Sequence, residues 1–325
     1  MKLIIQIPCY NEEKTLPQVL VELPKTIEWI DIIETQIIND GSTDKTIEVA
    51  KQYNVNHIVT YIWNRWLGYA FKTWIENALK NSADIVVNTD WDNQYPSKYI
   101  KDLVQPIVNK KADIVIWDRQ TAKVAHFSPL KKFLQWLWSG MVRFLSDTDV
   151  NDTVSWFRAY SRDSLLRLNI VSRFSYVLDT IIQAWKKGFV LTEIKMDTNP
   201  PTRKSRLFKN IWQHIKKSTA DMIRIYAMYE PLKIFLILSL PFIIIWIFWI
   251  CRFMYYFIQM WWNDWMIQSL TISWISMTIW ISLISMWIIW DLIIKSRMIQ
   301  EDILYLNKIA KYWETDYELK NGIKK

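Results

Sequence analysis

The sequence predicts an α/β protein: a mostly parallel sheet with helices on both faces, followed by an interfacial helix and a two-helix transmembrane hairpin. Three observations predict it. From Met1 to Met196 short apolar runs alternate with amphipathic segments, and strand and helix in turn generate parallel strands joined by crossover helices. Successive apolar runs end in clusters of oxygen-bearing side chains, where ligands of such sheets sit, beyond the carboxyl ends of the strands. The apolar residues crowd into the last third of the chain, in two runs that each approach the roughly 20 residues a bilayer requires.

Taken in order, the strands are expected at Leu3 to Ile7, Ile32 to Ile38, His57 to Tyr61, Ile85 to Val87 and Ile114 to Trp117. Each is a short apolar or β-branched run. The helices between them are expected at Leu16 to Leu23, Thr43 to Tyr53, Tyr69 to Lys80 and Ser97 to Val108. The opening MKLIIQIPCYNEE has too short an apolar run for a signal peptide and reads as the first strand. Between Asp118 and Asp149 the pattern loosens, and Phe127, Leu130, Phe133, Leu134, Leu137 and Val142 fall at helical spacing. A helix packed on the sheet and a segment lying near the membrane fit them equally.

Past residue 200 the character changes. Leu207, Ile211, Ile215, Met222 and Tyr226 recur at helical intervals, interleaved with Arg206, Lys209, Lys216, Lys217 and Arg224. That pattern describes a helix lying in a membrane interface. Ile234 to Cys251 and Met266 to Trp290 are nearly free of charge and form a hairpin of two spans. Lys233, Lys295 and Arg297 flank the ends, while the connecting loop has few cations besides Arg252, so both termini are expected on the cytoplasmic side. The expected division is an α/β domain over 1–200, a basic amphipathic helix over 201–230, the hairpin over 231–295 and a cytoplasmic tail helix over 296–325.

The net charge of +8 could suggest nucleic acid. The basic residues peak between Lys186 and Lys217, just ahead of the apolar runs, which suits an anionic membrane surface better. Two cysteines, Cys9 and Cys251, make no disulfide framework and fit a reducing compartment. His57, His126 and His214 have no partners at metal-ligand spacing. The most informative stretch is ADIVVNTDWDNQYP, a strand that runs straight into polar residues. Asp90 and Asp92, with the amide of Gln94, can converge on a hard divalent cation. A polar turn after a core strand uses the same residue types. Asn11, Ser42 and Thr43 can each cap a helix, yet three carboxylate-bearing clusters at successive strand ends are what an active site gathers at one edge.

One count is abnormal: 21 tryptophans against 5 glycines. Trp66, Trp117, Trp156 and Trp185 stand where a backbone would want glycine. Two readings stay open, a codon read as glycine in the source organism but translated here as tryptophan, and a chain whose tight turns carry indoles.

Together IPCYNEE, INDGSTD, the N-x-x-x-G of NRWLG, TDWDNQ and SWFRAYSR, in that order, resemble family 2 glycosyltransferases of the GT-A fold. The likeness is specifically to the polyprenyl-phosphate sugar transferases typified by dolichol-phosphate mannose synthase. The resemblance implies that Pro8, Tyr10, Asn11, Glu12, Asp40 and Asp90 line a nucleotide pocket. It implies that Asp90, Asp92 and Gln94 hold Mg²⁺ or Mn²⁺ against the donor's diphosphate. Asp92, Arg158 and Arg119 would then be catalytic, Arg158 facing a phosphate and Arg119 sharing that work. Arg203 and Arg206 resemble a mobile basic loop that closes over the donor or lipid phosphate.

The implied reaction is inverting transfer from a UDP- or GDP-linked sugar to undecaprenyl or dolichyl phosphate at the cytoplasmic membrane face. The chain departs from the family at Trp66, Trp91 and Trp156, where small residues are usual. Transfer to another lipid or to a polysaccharide, and a non-catalytic membrane scaffold that retains the fold, are the alternatives. The sequence leaves self-association open.

Overall fold

A computed structural model describes residues 1–61, 67–90, 95–119, 139–140, 142–143, 150–170, 176–196, 220, 224, 227–229, 231–260 and 265–320. Asp92, Gln94, Arg203, Arg206, Trp66 and Trp91 lie outside them, as does most of the expected interfacial helix. Two compact units emerge, one formed by Met1–Met222 with Asp302–Lys325, the other by Ile223–Glu301.

The first unit is built on seven strands: β1 (Lys2–Cys9), β2 (Ile32–Asn39), β3 (His57–Thr60), β4 (Ile85–Asn88), β5 (Ile114–Asp118), β6 (Arg158–Ser161) and β7 (Leu191–Lys195). Their spatial order is β3-β2-β1-β4-β6-β5-β7. The β1–β2, β1–β4, β2–β3 and β5–β7 pairs are parallel, and β6 runs antiparallel between β4 and β5. The five strands expected from apolar runs are all present. The two that were not expected lack such a run. β6 reads RAYS and carries an arginine in a buried strand, while β7 reads LTEIK, a half-buried sheet-edge strand.

Around the sheet lie α1 (Leu16–Glu22), α2 (Thr46–Gln52), α3 (Leu67–Lys80), α4 (Ile100–Val108), α5 (Arg162–Arg167) and α6 (Tyr176–Lys186). Alternation along the strands feeds two cores, because successive side chains point to opposite faces. Leu3, Ile5, Ile85, Val87, Val115 and Trp117 pack with α4 through Ile100, Leu103, Val104 and Ile107. Ile4, Val86, Ile114, Ile116 and Tyr160 pack with α3, α5 and α6 through Phe71, Trp74, Leu165 and Ile181. Each fully buried side chain of this size contributes about 1.5–3 kcal/mol.

The tryptophans are seated differently from one another. Trp117 is wholly buried, donates Nε1–H to the Met196 carbonyl at 3.1 Å and meets Tyr95 edge-on at 4.6 Å between centroids. Trp185 sits half-buried under the Lys186 ammonium, 4.2 Å from its ring centre. Trp29 is the outlier, exposed and held at a φ of 73°. That left-handed conformation costs a residue with a Cβ about 1–2 kcal/mol.

In the second unit α7 (Pro231–Met260) and α8 (Trp265–Lys320) form the expected hairpin. Both are long and apolar enough to cross a membrane, with mean hydropathies of 2.8 and 1.9 over their apolar stretches. Only 6% of either apolar window is buried, whereas the core helix of a soluble protein is mostly covered. Hydroxyls within the helices return to their own backbone: Thr271 donates to the Ile267 carbonyl, Ser276 to Ile272, Ser282 to Thr278 and Ser285 to Ile281. Such bonds satisfy these four hydroxyls without a partner outside the helix. Arg297 pairs with Glu301 at 2.8 Å and donates to the Tyr229 hydroxyl at 3.1 Å.

The expected tail is helical, and α8 continues into it without a break. Its last part belongs to the first unit. Tyr305 and Ile309 pack against the core that holds Tyr312, and Tyr305 donates to Asp163 at 3.1 Å. Lys308 donates to the carbonyls of Leu166 and Leu168, capping the end of α5.

Candidate active site

Parallel register brings the ends of β2, β1 and β4 to one edge. Cys9 pairs with Asn39 and Gln6 with Asn88. The main chain then carries the order one step further, Asp40 N–H donating to the Cys9 carbonyl at 2.9 Å and Thr89 N–H to Gln6 at 3.0 Å. Asp40 and Asp90 therefore leave neighbouring strands on either side of β1, both half-buried.

The loops after β1 and β2 are laced together reciprocally. Asn11 takes a left-handed φ of 55°, which asparagine tolerates better than most residues. Its N–H donates to Ser42 Oγ at 2.9 Å and its side-chain oxygen accepts from Thr43 N–H at 2.8 Å. Glu12 N–H donates to Thr46 Oγ1 at 2.8 Å, and Glu13 N–H to Asp44 at 3.1 Å. Burial pushes the Asp44 carboxyl up, but the Thr46 hydroxyl and main-chain N–H groups outweigh it and hold the group below the usual carboxylate range. Asn11, Ser42 and Thr43, readable as helix caps, instead tie one loop to the other. Glu12 is buried and accepts from the Thr15 hydroxyl, Pro8 is half-buried, and Tyr10 lies open at 42% exposure.

Cys9 reports how closely the carboxylates gather. Its thiol is pushed well up, first by burial and then by the charges of Glu12, Asp90 and Asp44. Three strand ends thus project negative charge onto one buried point. Hard oxygen donors of this kind suit a magnesium- or manganese-like ion. Among the described residues no group of three histidine, cysteine or carboxylate side chains is arranged to hold a metal, and Asp92 and Gln94 fall outside them.

Behind Asp90 runs a feature sequence reasoning missed, a ladder of buried amides crossing three strands. Asn77 donates to Gln36 at 2.7 Å, Gln36 to Gln6 at 3.2 Å and Gln6 to Asn88 at 3.2 Å. Asn88 in turn donates to the Trp156 carbonyl at 3.0 Å and the Tyr176 hydroxyl at 2.8 Å. Tyr176 is stacked on Phe71 with centroids 3.8 Å apart. A satisfied buried network of this kind fixes strand register and rotamers together. The available signal was a single amide inside each of three apolar runs, LIIQIP, TQII and IVVN.

The other half of the edge is built from arginines. Arg158 is fully buried, and its donors are spent inside: on the Ser155 carbonyl at 2.8 Å, Thr153 at 3.0 Å, Val177 at 3.1 Å and the Thr180 hydroxyl at 2.9 Å. The expectation that it faces a phosphate meets a guanidinium already surrounded by carbonyl oxygens. Arg119, just past β5, grips Asp152 at two points, 2.6 and 2.8 Å. Burial disfavours the Arg119 charge, but the Asp152 carboxylate overrides it and raises the guanidinium above its ordinary value.

A mostly parallel seven-stranded sheet in which β2, β1 and β4 end side by side in polar loops defines the class, a GT-A-type α/β protein. Residues 4–168, just over half of the chain, match the family described as glycosyl transferase family 2. The chain belongs to that family.

It is similar to an uncharacterised protein of Methanocaldococcus jannaschii, 28% identical over 202 residues, covering 61% of this chain and 81% of the relative. It is similar also to a dolichyl-phosphate hexose transferase of Haloferax volcanii, 25% identical, covering 57% and 77%. An undecaprenyl-phosphate mannosyltransferase of Micrococcus luteus is 24% identical, covering 52% and 70%. Among solved structures, glucosyl-3-phosphoglycerate synthase from Mycobacterium tuberculosis, with Mn²⁺, UDP and glucosyl-3-phosphoglycerate bound, superposes with a TM-score of 0.53 at 17% identity, covering 70% of this chain and 78% of that one. That likeness is one of fold.

Proposed function

We propose that this glycosyltransferase moves a sugar from a nucleotide to a polyprenyl phosphate at the cytoplasmic face of a membrane. One observation carries the reading: a family 2 catalytic fold and a hairpin of bilayer-spanning length share one chain. Such an enzyme needs its acceptor delivered in the plane of a membrane. The names of the relatives from Haloferax volcanii and Micrococcus luteus, which transfer to dolichyl and undecaprenyl phosphate, support it.

In this reading Pro8, Tyr10, Asn11, Glu12 and Asp40 hold the nucleotide, UDP or GDP, on the laced loops. Asp90 with Asp92 and Gln94 would hold Mg²⁺ or Mn²⁺. A bound divalent cation supplies neutralisation of charge on the departing diphosphate. The lipid phosphate oxygen attacks the anomeric carbon, and the bond to the nucleotide's diphosphate breaks with its electron pair leaving on the diphosphate. A phosphate oxygen is already anionic at neutral pH, so the protein supplies placement rather than a strong base. Arg119, Arg203 and Arg206 meet the phosphates, and Arg158 braces the wall behind them.

The test is a panel of radiolabelled nucleotide-sugars given to the full chain in detergent with polyprenyl phosphate and Mg²⁺ or Mn²⁺. Label is expected in the organic phase with one donor, and its loss on adding a chelator. Label that stays in water with every donor and either metal refutes the acceptor assignment.

A further inference from the structure

The guanidinium of Arg119 is not free to swing. Nε and Nη2 each donate to a different oxygen of Asp152, at 2.6 and 2.8 Å, a two-point grip that fixes the plane of the fork. The same carboxylate accepts the main-chain N–H of Arg119 at 3.2 Å and of Val154 at 3.4 Å. Asp152 is 1% exposed. Burial alone would raise its carboxyl, but Arg119 more than reverses this and keeps it ionised below the usual carboxylate range. A covered carboxylate with its oxygens engaged has no route to a substrate and is no general base.

The loop that carries it is pinned in turn. Glu193 on β7 accepts from Asn151 Nδ2 and from the Asp152 N–H, both at 2.9 Å. Nη1 of Arg119 has no hydrogen-bond partner among the described residues, on a side chain that keeps 13% of its surface. It stands at the end of β5, a strand that runs parallel to β4 because both are antiparallel to β6. Arg119 and Asp90 thus share the carboxyl edge.

We propose that Asp152 is a positioning residue. Through the two-point bond it aims the remaining donors of Arg119 at a phosphate bound on this edge, and Glu193 braces the loop that carries it. The inference rests on the function proposed above and deepens it by naming the group that orients the phosphate-binding cation. The ligand chemistry is a phosphate, of the nucleotide or of the lipid.

The experiment uses the full chain in detergent and two probes, UDP or GDP for the donor and dodecyl phosphate for the lipid headgroup. Asp152→Asn is expected to weaken one probe about tenfold or more and leave the other within about twofold. Asp152→Glu is expected to recover part of the loss. In the transfer assay the penalty falls on KM for the matching substrate rather than on kcat. Wild-type affinity for both probes in Asp152→Asn overturns the proposal. So does equal loss of both probes together with a lowered melting temperature in both variants, which marks a purely structural pair. If the wild type binds dodecyl phosphate yet labels no polyprenyl phosphate, the proposed acceptor falls, and the same affinity ratios still decide the role of Asp152.

Discussion

The two halves of the carboxyl edge handle charge in opposite ways. On the β1–β2–β4 side the loops are laced by neutral and acidic side chains, Asn11 to Ser42 and Thr43, Glu12 N–H to Thr46 and Glu13 N–H to the Asp44 carboxylate. On the β5–β6–β7 side the side chains are cations held by partners within the protein, Arg158 through all its nitrogens by carbonyls and a hydroxyl and Arg119 through two of its nitrogens by Asp152. The lesson is that an arginine in a family motif can be a beam rather than a hand. Its donors have to be counted before a phosphate is given to it.

The comparison breaks most sharply at Arg158. Arg158→Ala strands several buried acceptors at once and is expected to cost on the order of 4 kcal/mol, read by urea titration of the detergent-solubilised protein. An unchanged unfolding midpoint with activity lost would return Arg158 to the substrate. Asp90→Asn is the opposite case: folding stays intact while transfer falls by about a hundredfold or more, roughly 3 kcal/mol of transition-state stabilisation. Asn88→Ala tests the ladder between the halves and is expected to destabilise by about 2 kcal/mol. Gln6→Leu in the same background should then add less than it does alone, because the two amides share one bond.

Two smaller effects sharpen the picture away from the chemistry. Trp29→Gly relieves the left-handed strain at a largely exposed position and is expected to stabilise by about 0.5–1 kcal/mol after the entropy cost of glycine. A drop in melting temperature would mean that the indole's contacts outweigh the strain. The last effect concerns pH. The folded Asp44 carboxyl sits below its unfolded value, so its stabilisation is present above the unfolded value, near 4, and is lost as pH falls through the folded one. Between about pH 5 and 3 the wild type is expected to lose more stability than Asp44→Asn. Parallel melting curves for the two proteins would remove Asp44 from the lacing.

Much of this was legible where one residue type repeats locally. Apolar runs such as Leu3 to Ile7 and Ile114 to Trp117 announced five strands, and clusters such as NDGSTD announced the edge they share. β7 escaped because a half-buried edge strand tolerates threonine, glutamate and lysine. β6 escaped because its opening residue is a charge whose hydrogen-bond acceptors only the fold supplies. Asp152 and Arg119 are 33 positions apart, and Gln6 and Asn88 are 82 apart. No local pattern couples such residues: the first pair needs β6 set beside β5, and the second needs β4 laid along β1. The twin aspartates were visible because they sit one residue apart.

The docking of Tyr305, Ile309 and Tyr312 onto the core of the first unit sets an order of events during synthesis. Domains ordinarily fold as they emerge, N-terminal portion first. Here a piece of the core is encoded some three hundred residues downstream, in the last part of the second apolar helix. The ribosome must deliver the hairpin before the enzyme can finish folding, so a nascent chain stalled short of residue 305 would present bare apolar surface to chaperones, and full protease resistance would arrive only with the final helix.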